Sequence, residues 1–85
     1  MLDKRKFYIN GQWVEPSKKN DFDVINPSDE TVCAVISLGS QEDTNAAVNA
    51  AREALQSWSN SSKEDRVALL ERLYSIYERR MDEMA

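Results

Sequence analysis

Eighty-five residues with a net charge of −4, a hydrophobic fraction of 41% and a charged fraction of 31% describe at most one thin-cored, water-soluble domain. One cysteine excludes an internal disulfide, and the absence of histidine excludes Cys/His zinc sites and every histidine-dependent catalytic arrangement. The acidic balance gives no footprint for nucleic acid. No apolar run is long enough to span a membrane.

The N-terminal Lys4-Arg5-Lys6 reads as a solvated arm, and no apolar region follows it as in a signal peptide. Residues 6–9 and 12–15 flank Asn10-Gly11, a pair whose tolerance of positive φ predicts a type I′ hairpin. In that register Tyr8 faces Trp13, Phe7 faces Val14 and Ile9 faces Gln12. Both faces of the ribbon are then apolar, and so small a ribbon needs something to pack against. Residues 15–21 read as a polar loop. Phe22–Ile25 is a short strand, and Pro27 forces Asn26 into a turn. Thr31–Leu38 is a longer strand with apolar residues on both faces, as in a strand covered on two sides. On it, Cys33 reads as a small buried apolar residue, with nothing nearby to make it a nucleophile.

Ser40 is placed to cap a helix that runs to about Trp58, with the stripe Ala47, Val48, Ala51, Leu55 and Trp58. Ser59–Ser62 breaks it. Ser61 or Ser62 caps a second helix, and Ser61-x-x-Glu64 fits a capping box. That helix runs from about Lys63 to Met81 or beyond. Its apolar residues Val67, Leu69, Leu70, Leu73, Tyr74, Ile76, Tyr77, Met81 and Met84 fill an arc of roughly 180°, where an ordinary surface helix needs about 100°. An alanine-rich neighbour cannot cover so wide an arc, which predicts a further packing surface.

No set of residues makes an active site. The two glycines, Gly11 and Gly39, are turn residues and do not form a phosphate loop. The acids Asp21, Asp23, Asp29 and Glu30 read as loop surface, not as a cation site. The sequon Asn60-Ser61-Ser62 is idle without secretion.

Taken in order, Tyr8-Ile9-Asn10-Gly11-Gln12-Trp13-Val14, Phe22-x-Val24-Ile25-Asn26-Pro27, the alanine-rich Ala46–Ala54, Trp58, Arg66-x-x-Leu69-Leu70 and Glu78-Arg79-x-x-Asp82-Glu83-Met84-Ala85 resemble the N-terminal segment of the NAD(P)-dependent aldehyde dehydrogenases. The resemblance implies an α+β fragment: a β-hairpin and two further strands (residues 1–39), then two amphipathic helices (residues 40–85). Together they would form the N-terminal portion of a cofactor-binding domain within a larger α/β fold. In the family a cysteine nucleophile, a glutamate, an oxyanion-holding asparagine and a glycine-rich NAD or NADP loop perform aldehyde oxidation. All lie downstream of this segment, so the chain alone is expected to be silent and to bind no cofactor. Cys33 does not match the catalytic motif. The resemblance further implies that the backbone carbonyls of Val24 and Ile25 contribute to a monovalent-cation site. It implies the rest of the chain as partner, a homo-oligomer, a cytoplasmic location, and no nucleic-acid or membrane partner. The length by itself leaves open a free-standing α+β interaction module.

Overall fold

The computed structural model describes all 85 residues, in the order β1 (Leu2–Lys4), β2 (Phe7–Ile9), β3 (Gln12–Val14), β4 (Asp21–Ile25), β5 (Val32–Ser37), α1 (Gln41–Trp58), α2 (Lys63–Arg79) and α3 (Met81–Met84). They form two compact units, Met1–Ala54 and Leu55–Ala85.

In the first unit β2 and β3 form the antiparallel hairpin with the expected pairs, Phe7 with Val14, Tyr8 with Trp13 and Ile9 with Gln12. Asn10 (φ 54°) and Gly11 (φ 75°) hold the two positive-φ positions that a type I′ turn requires. The Tyr8 and Trp13 rings lie 5.1 Å apart, tilted by 55°. Phe7, on the other face, reaches Gly39, so the hairpin's inner face rests beside the start of α1.

The second sheet has the order β1-β5-β4. β4 runs antiparallel to β5, with a register shift between Val24 and Ile25. β1 runs parallel to β5, pairing Leu2 with Ala34, Asp3 with Val35 and Lys4 with Ile36. Of the expected solvated arm Lys4-Arg5-Lys6, Lys4 thus ends a strand that begins at Leu2. Three polar-leaning residues carry no hydrophobic alternation. What recruits them is the open backbone edge of β5, and a salt bridge holds them there. Arg5 pairs with Asp3 at 2.7 Å and with Asp21, at the start of β4, at 3.4 Å.

Cys33 also departs from expectation. It is exposed, although Val35 and Ser37 on the same face of β5 are half-buried and buried, so cover on that face falls away toward the start of the strand. No apolar residue anywhere is buried. The one buried side chain is Ser37, 7% exposed, and its hydroxyl has no hydrogen-bond partner.

In the second unit, α1 ends at Trp58 and α2 starts at Lys63, as the sequence predicts. The cap is Ser62, whose side chain accepts from the Asp65 amide at 3.1 Å. The Ser61-Glu64 capping box does not form, since Ser61 turns its hydroxyl back to the Trp58 carbonyl at 2.6 Å. α2 also closes earlier than expected. Arg80 (φ −108°, ψ 21°) leaves helical geometry, and α3 restarts at Met81. The expected apolar arc, now divided between α2 and α3, is open throughout, from Val67 to Met84.

Candidate functional site

The residues with potential chemistry fall into separate places, and the structure assembles no catalytic set from them. At the end of β4, Val24 is half-buried and Ile25 exposed. The chain then turns sharply. The Asn26 amide donates to the Thr31 carbonyl and the Glu30 amide to the Asn26 carbonyl, both at 2.8 Å. The Asn26 side chain accepts from the Ser28 amide at 3.0 Å. Pro27 lacks an amide hydrogen, so the turn loses no donor there. The Cys33 thiol donates to the Val24 carbonyl at 3.4 Å. This thiol contact was not legible in the sequence. It follows from the β4–β5 register, which places Val24 beside Ala34.

The four acids expected in loops do not converge, and two of them, Asp21 and Asp23, lie on β4, which starts one residue earlier than Phe22. Asp21 faces Arg5 and lies 3.9 Å from Lys19. Asp29 accepts from the hydroxyl and amide of Thr31, which lowers its pKa in that order of importance. No group of three or more Cys, Asp or Glu side chains is placed to hold a metal ion. Asp3, bonded first by the Arg5 side chain and then by its amide, is lowered to about 2, and Arg5 is correspondingly raised.

Three positioning clusters were missed or half-read in the sequence. Asp43, three residues into the Ser40 cap, accepts from the Ser40 amide (3.0 Å), the Ser40 hydroxyl (3.1 Å) and the Ser17 amide (2.9 Å). The Ser40 hydroxyl in turn accepts from the Asp43 amide at 3.4 Å and meets the Ser17 hydroxyl at 2.7 Å. This is a reciprocal capping box with aspartate in the usual glutamate place. It pins the loop after the hairpin to the start of α1. The amides of Ser40 and then Ser17 hold Asp43 below its ordinary pKa.

The second cluster is the corner after α1. The Arg66 guanidinium lies 4.9 Å from the Trp58 ring centroid. It donates to the Trp58 carbonyl and to the Ser61 hydroxyl, each at 2.8 Å. The Ser61 amide reaches the same carbonyl at 3.1 Å. Arg66 thereby joins the Ser61 hydroxyl and amide on one helix C-terminal acceptor. The third cluster is the nook beside Ser37, lined by Arg5, Glu15, Pro16, Lys19 and Asp21. The Ser37 hydroxyl is shielded there by residues of this chain itself.

Comparison with known proteins gives one answer. The family model described as "Aldehyde dehydrogenase family" matches residues 13–85. A 3-succinoylsemialdehyde-pyridine dehydrogenase of a Pseudomonas species is 46% identical over 85 residues, 100% of this chain and 18% of that protein. A putative aldehyde dehydrogenase of Staphylococcus aureus strain USA300 is 37% identical over 84 residues, 99% of this chain and 18% of its own length. The crystal structure of an aldehyde dehydrogenase from Bartonella henselae superposes with a TM-score of 0.88 at 51% identity, covering 99% of this chain and 18% of that one. The chain therefore spans under a fifth of the length of the relatives it matches.

Proposed function

This chain belongs to the aldehyde dehydrogenase family, and we propose that it is the N-terminal portion of the cofactor-binding domain of an NAD- or NADP-dependent enzyme that oxidises an aldehyde to a carboxylic acid. The observation that carries the reading is the match over 99% of this chain to only 18% of a solved family member. One feature of the molecule supports it. Every large apolar side chain of α2 is exposed, as in a segment whose packing surface is not part of it. The free-standing module is not favoured, because an independent domain of this size would bury some apolar core.

The residues present do not fit the dinucleotide. Gly11 closes a hairpin and Gly39 sits under Phe7, so neither belongs to a loop of amides around a phosphate. Cofactor and catalytic groups belong to the rest of the parent polypeptide. The role of this chain is to form part of the wall behind them. The Val24 and Ile25 carbonyls fit a monovalent cation by donor chemistry, since oxygen suits a hard cation whatever the side chain. Such an ion would supply positive charge at the β4 corner. The parent enzyme is read as a cytoplasmic homo-oligomer without nucleic-acid partners. No helix here is long and apolar enough to cross a membrane.

The test is an assay with NAD or NADP and a panel of aldehydes. The 85-residue chain is expected to give no turnover, and the parent polypeptide is expected to lose turnover when residues 1–85 are removed. Turnover by the isolated chain, or full activity without it, overturns the proposal.

A further inference from the structure

We propose that Asn10-Gly11 is a site of spontaneous covalent modification, at which the chain deamidates itself through a succinimide and thereby unlocks the hairpin. In the first step the Gly11 amide nitrogen, deprotonated, attacks the Asn10 side-chain carbonyl carbon. The new N–Cγ bond forms, the Cγ–Nδ2 bond breaks, and ammonia leaves with a proton taken from water. Water then opens the ring at either carbonyl, giving aspartate or isoaspartate. Nothing is oxidised or reduced, and water is the only co-reactant.

The structure favours this position over the other asparagines for stated reasons. Gly11 has no side chain to crowd its own amide nitrogen, and the space where a Cβ would sit is open, with nothing within 4 Å beyond its chain neighbours. Asn10 is exposed. No hydrogen bond engages its carboxamide or the Gly11 amide, and that amide must lose its proton. The other asparagines in turns are held. Asn60 donates its carboxamide to the Gln56 carbonyl at 2.9 Å, and the following amide, of Ser61, is bonded to Trp58. Asn26 accepts from Ser28 and precedes Pro27, which has no amide hydrogen to lose. Asn45 and Asn49 lie inside α1, where the next amide is tied into the helix. Asn20 precedes Asp21, whose side chain crowds the approach.

The folded turn must open for the nitrogen to reach the side chain, and a ribbon of three residue pairs opens readily. The two products differ in consequence. Aspartate keeps the turn, because Asp-Gly also suits type I′. Isoaspartate adds a carbon to the backbone between the two strands. The Ile9–Gln12 and Tyr8–Trp13 pairs then lose their register, and Phe7 leaves its place beside Gly39.

The proposal does not depend on the catalytic reading. Incubate the full polypeptide that carries this chain at pH 7 and pH 9, then map peptides by mass spectrometry with fragmentation that separates aspartyl from isoaspartyl. Position 10 is expected to convert before the other asparagines of the chain, in proportion to hydroxide, with the isoaspartyl form in excess. Gly11→Ala is expected to slow conversion although it loosens the turn. Asn10→Asp is expected to keep the Tyr8–Trp13 aromatic signal in near-ultraviolet circular dichroism while the aged protein loses it. An Asn10 still amidated when Asn20 or Asn60 has converted, or a rate equal at the two pH values, overturns the proposal.

Discussion

Asp43 shows how much one short side chain organises. Its carboxylate takes both amides that the Ser17–Ser40 crossing leaves over, so its pKa lies below the ordinary 3.8. A carboxyl lowered on folding contributes order that is fully present above its unfolded value and is lost as pH falls through the folded one. The first turn of α1 is therefore expected to fray below about pH 3.8 and to be constant above it. Amide exchange at Ser17 and Ser40 reads this directly, and equal protection at pH 2 and pH 6 contradicts it. The second cap makes a matching contrast between neighbours. Ser62→Ala removes the acceptor of the Asp65 amide and is expected to cost about 1 kcal/mol of α2 helix. Ser61→Ala leaves that cap whole. Cα chemical shifts at Lys63–Arg66 separate the two, and equal fraying in both variants shows that Ser61, not Ser62 alone, starts the helix. Sequence located both helix starts but left two serines as candidates. Only the direction of the Ser61 hydroxyl, drawn back to a helix C-terminus, decides between them.

Elements differ in how far their own residues determine them. The β2–β3 hairpin was legible to the residue pair, because an Asn-Gly turn fixes register locally and the aromatic pair rewards it. β1 was not legible. Its partner lies some thirty positions away and its residues bring a backbone edge and a salt bridge, with no hydrophobic pattern. Cys33 was misread for a related reason. The strand pattern implied cover along its whole length, and the cover reaches Val35 and Ser37 but not Cys33, two residues back on the same face. Arg66 stood in the motif series without a role until the corner showed one. Its guanidinium serves the Trp58 carbonyl, the Ser61 hydroxyl and the indole face together. Lysine carries the same charge but has neither the fork nor the plane. Arg66→Lys is thus expected to weaken the corner by about 0.5–1 kcal/mol, the usual worth of an exposed cation–π contact. It should change Trp58 fluorescence while the Ser62 cap keeps α2 helical. An unchanged Trp58 environment would remove the corner from the list of features that Arg66 holds.

At the scale of the whole molecule the missing quantity is burial. Ordering a residue's backbone costs about 1–2 kcal/mol, and apolar burial is the main opposing contribution. Here no apolar residue is buried, and Leu70, Leu73 and Tyr74 of α2 are 62%, 60% and 66% exposed. Caps, a hairpin and a corner bias the local conformation, but they do not make a cooperative fold. The same arc has opposite worth in two settings. Against the rest of a parent enzyme, full burial of a leucine contributes about 1.5–3 kcal/mol, and a charge put there would be desolvated without a partner. In the isolated chain the same leucine only offers a sticky surface. Leu70→Asp is therefore expected to act with opposite sign in the two. The isolated chain should become less prone to aggregate, bind less of a hydrophobic dye and keep its helix content. The parent should lose soluble yield and melt at a lower temperature. Glu71→Ala, on the charged side of the same helix, is the control expected to leave both unchanged. A parent enzyme that tolerates Leu70→Asp with its melting temperature intact would show that the arc faces water there too, and the apolar face of α2 would then need another explanation.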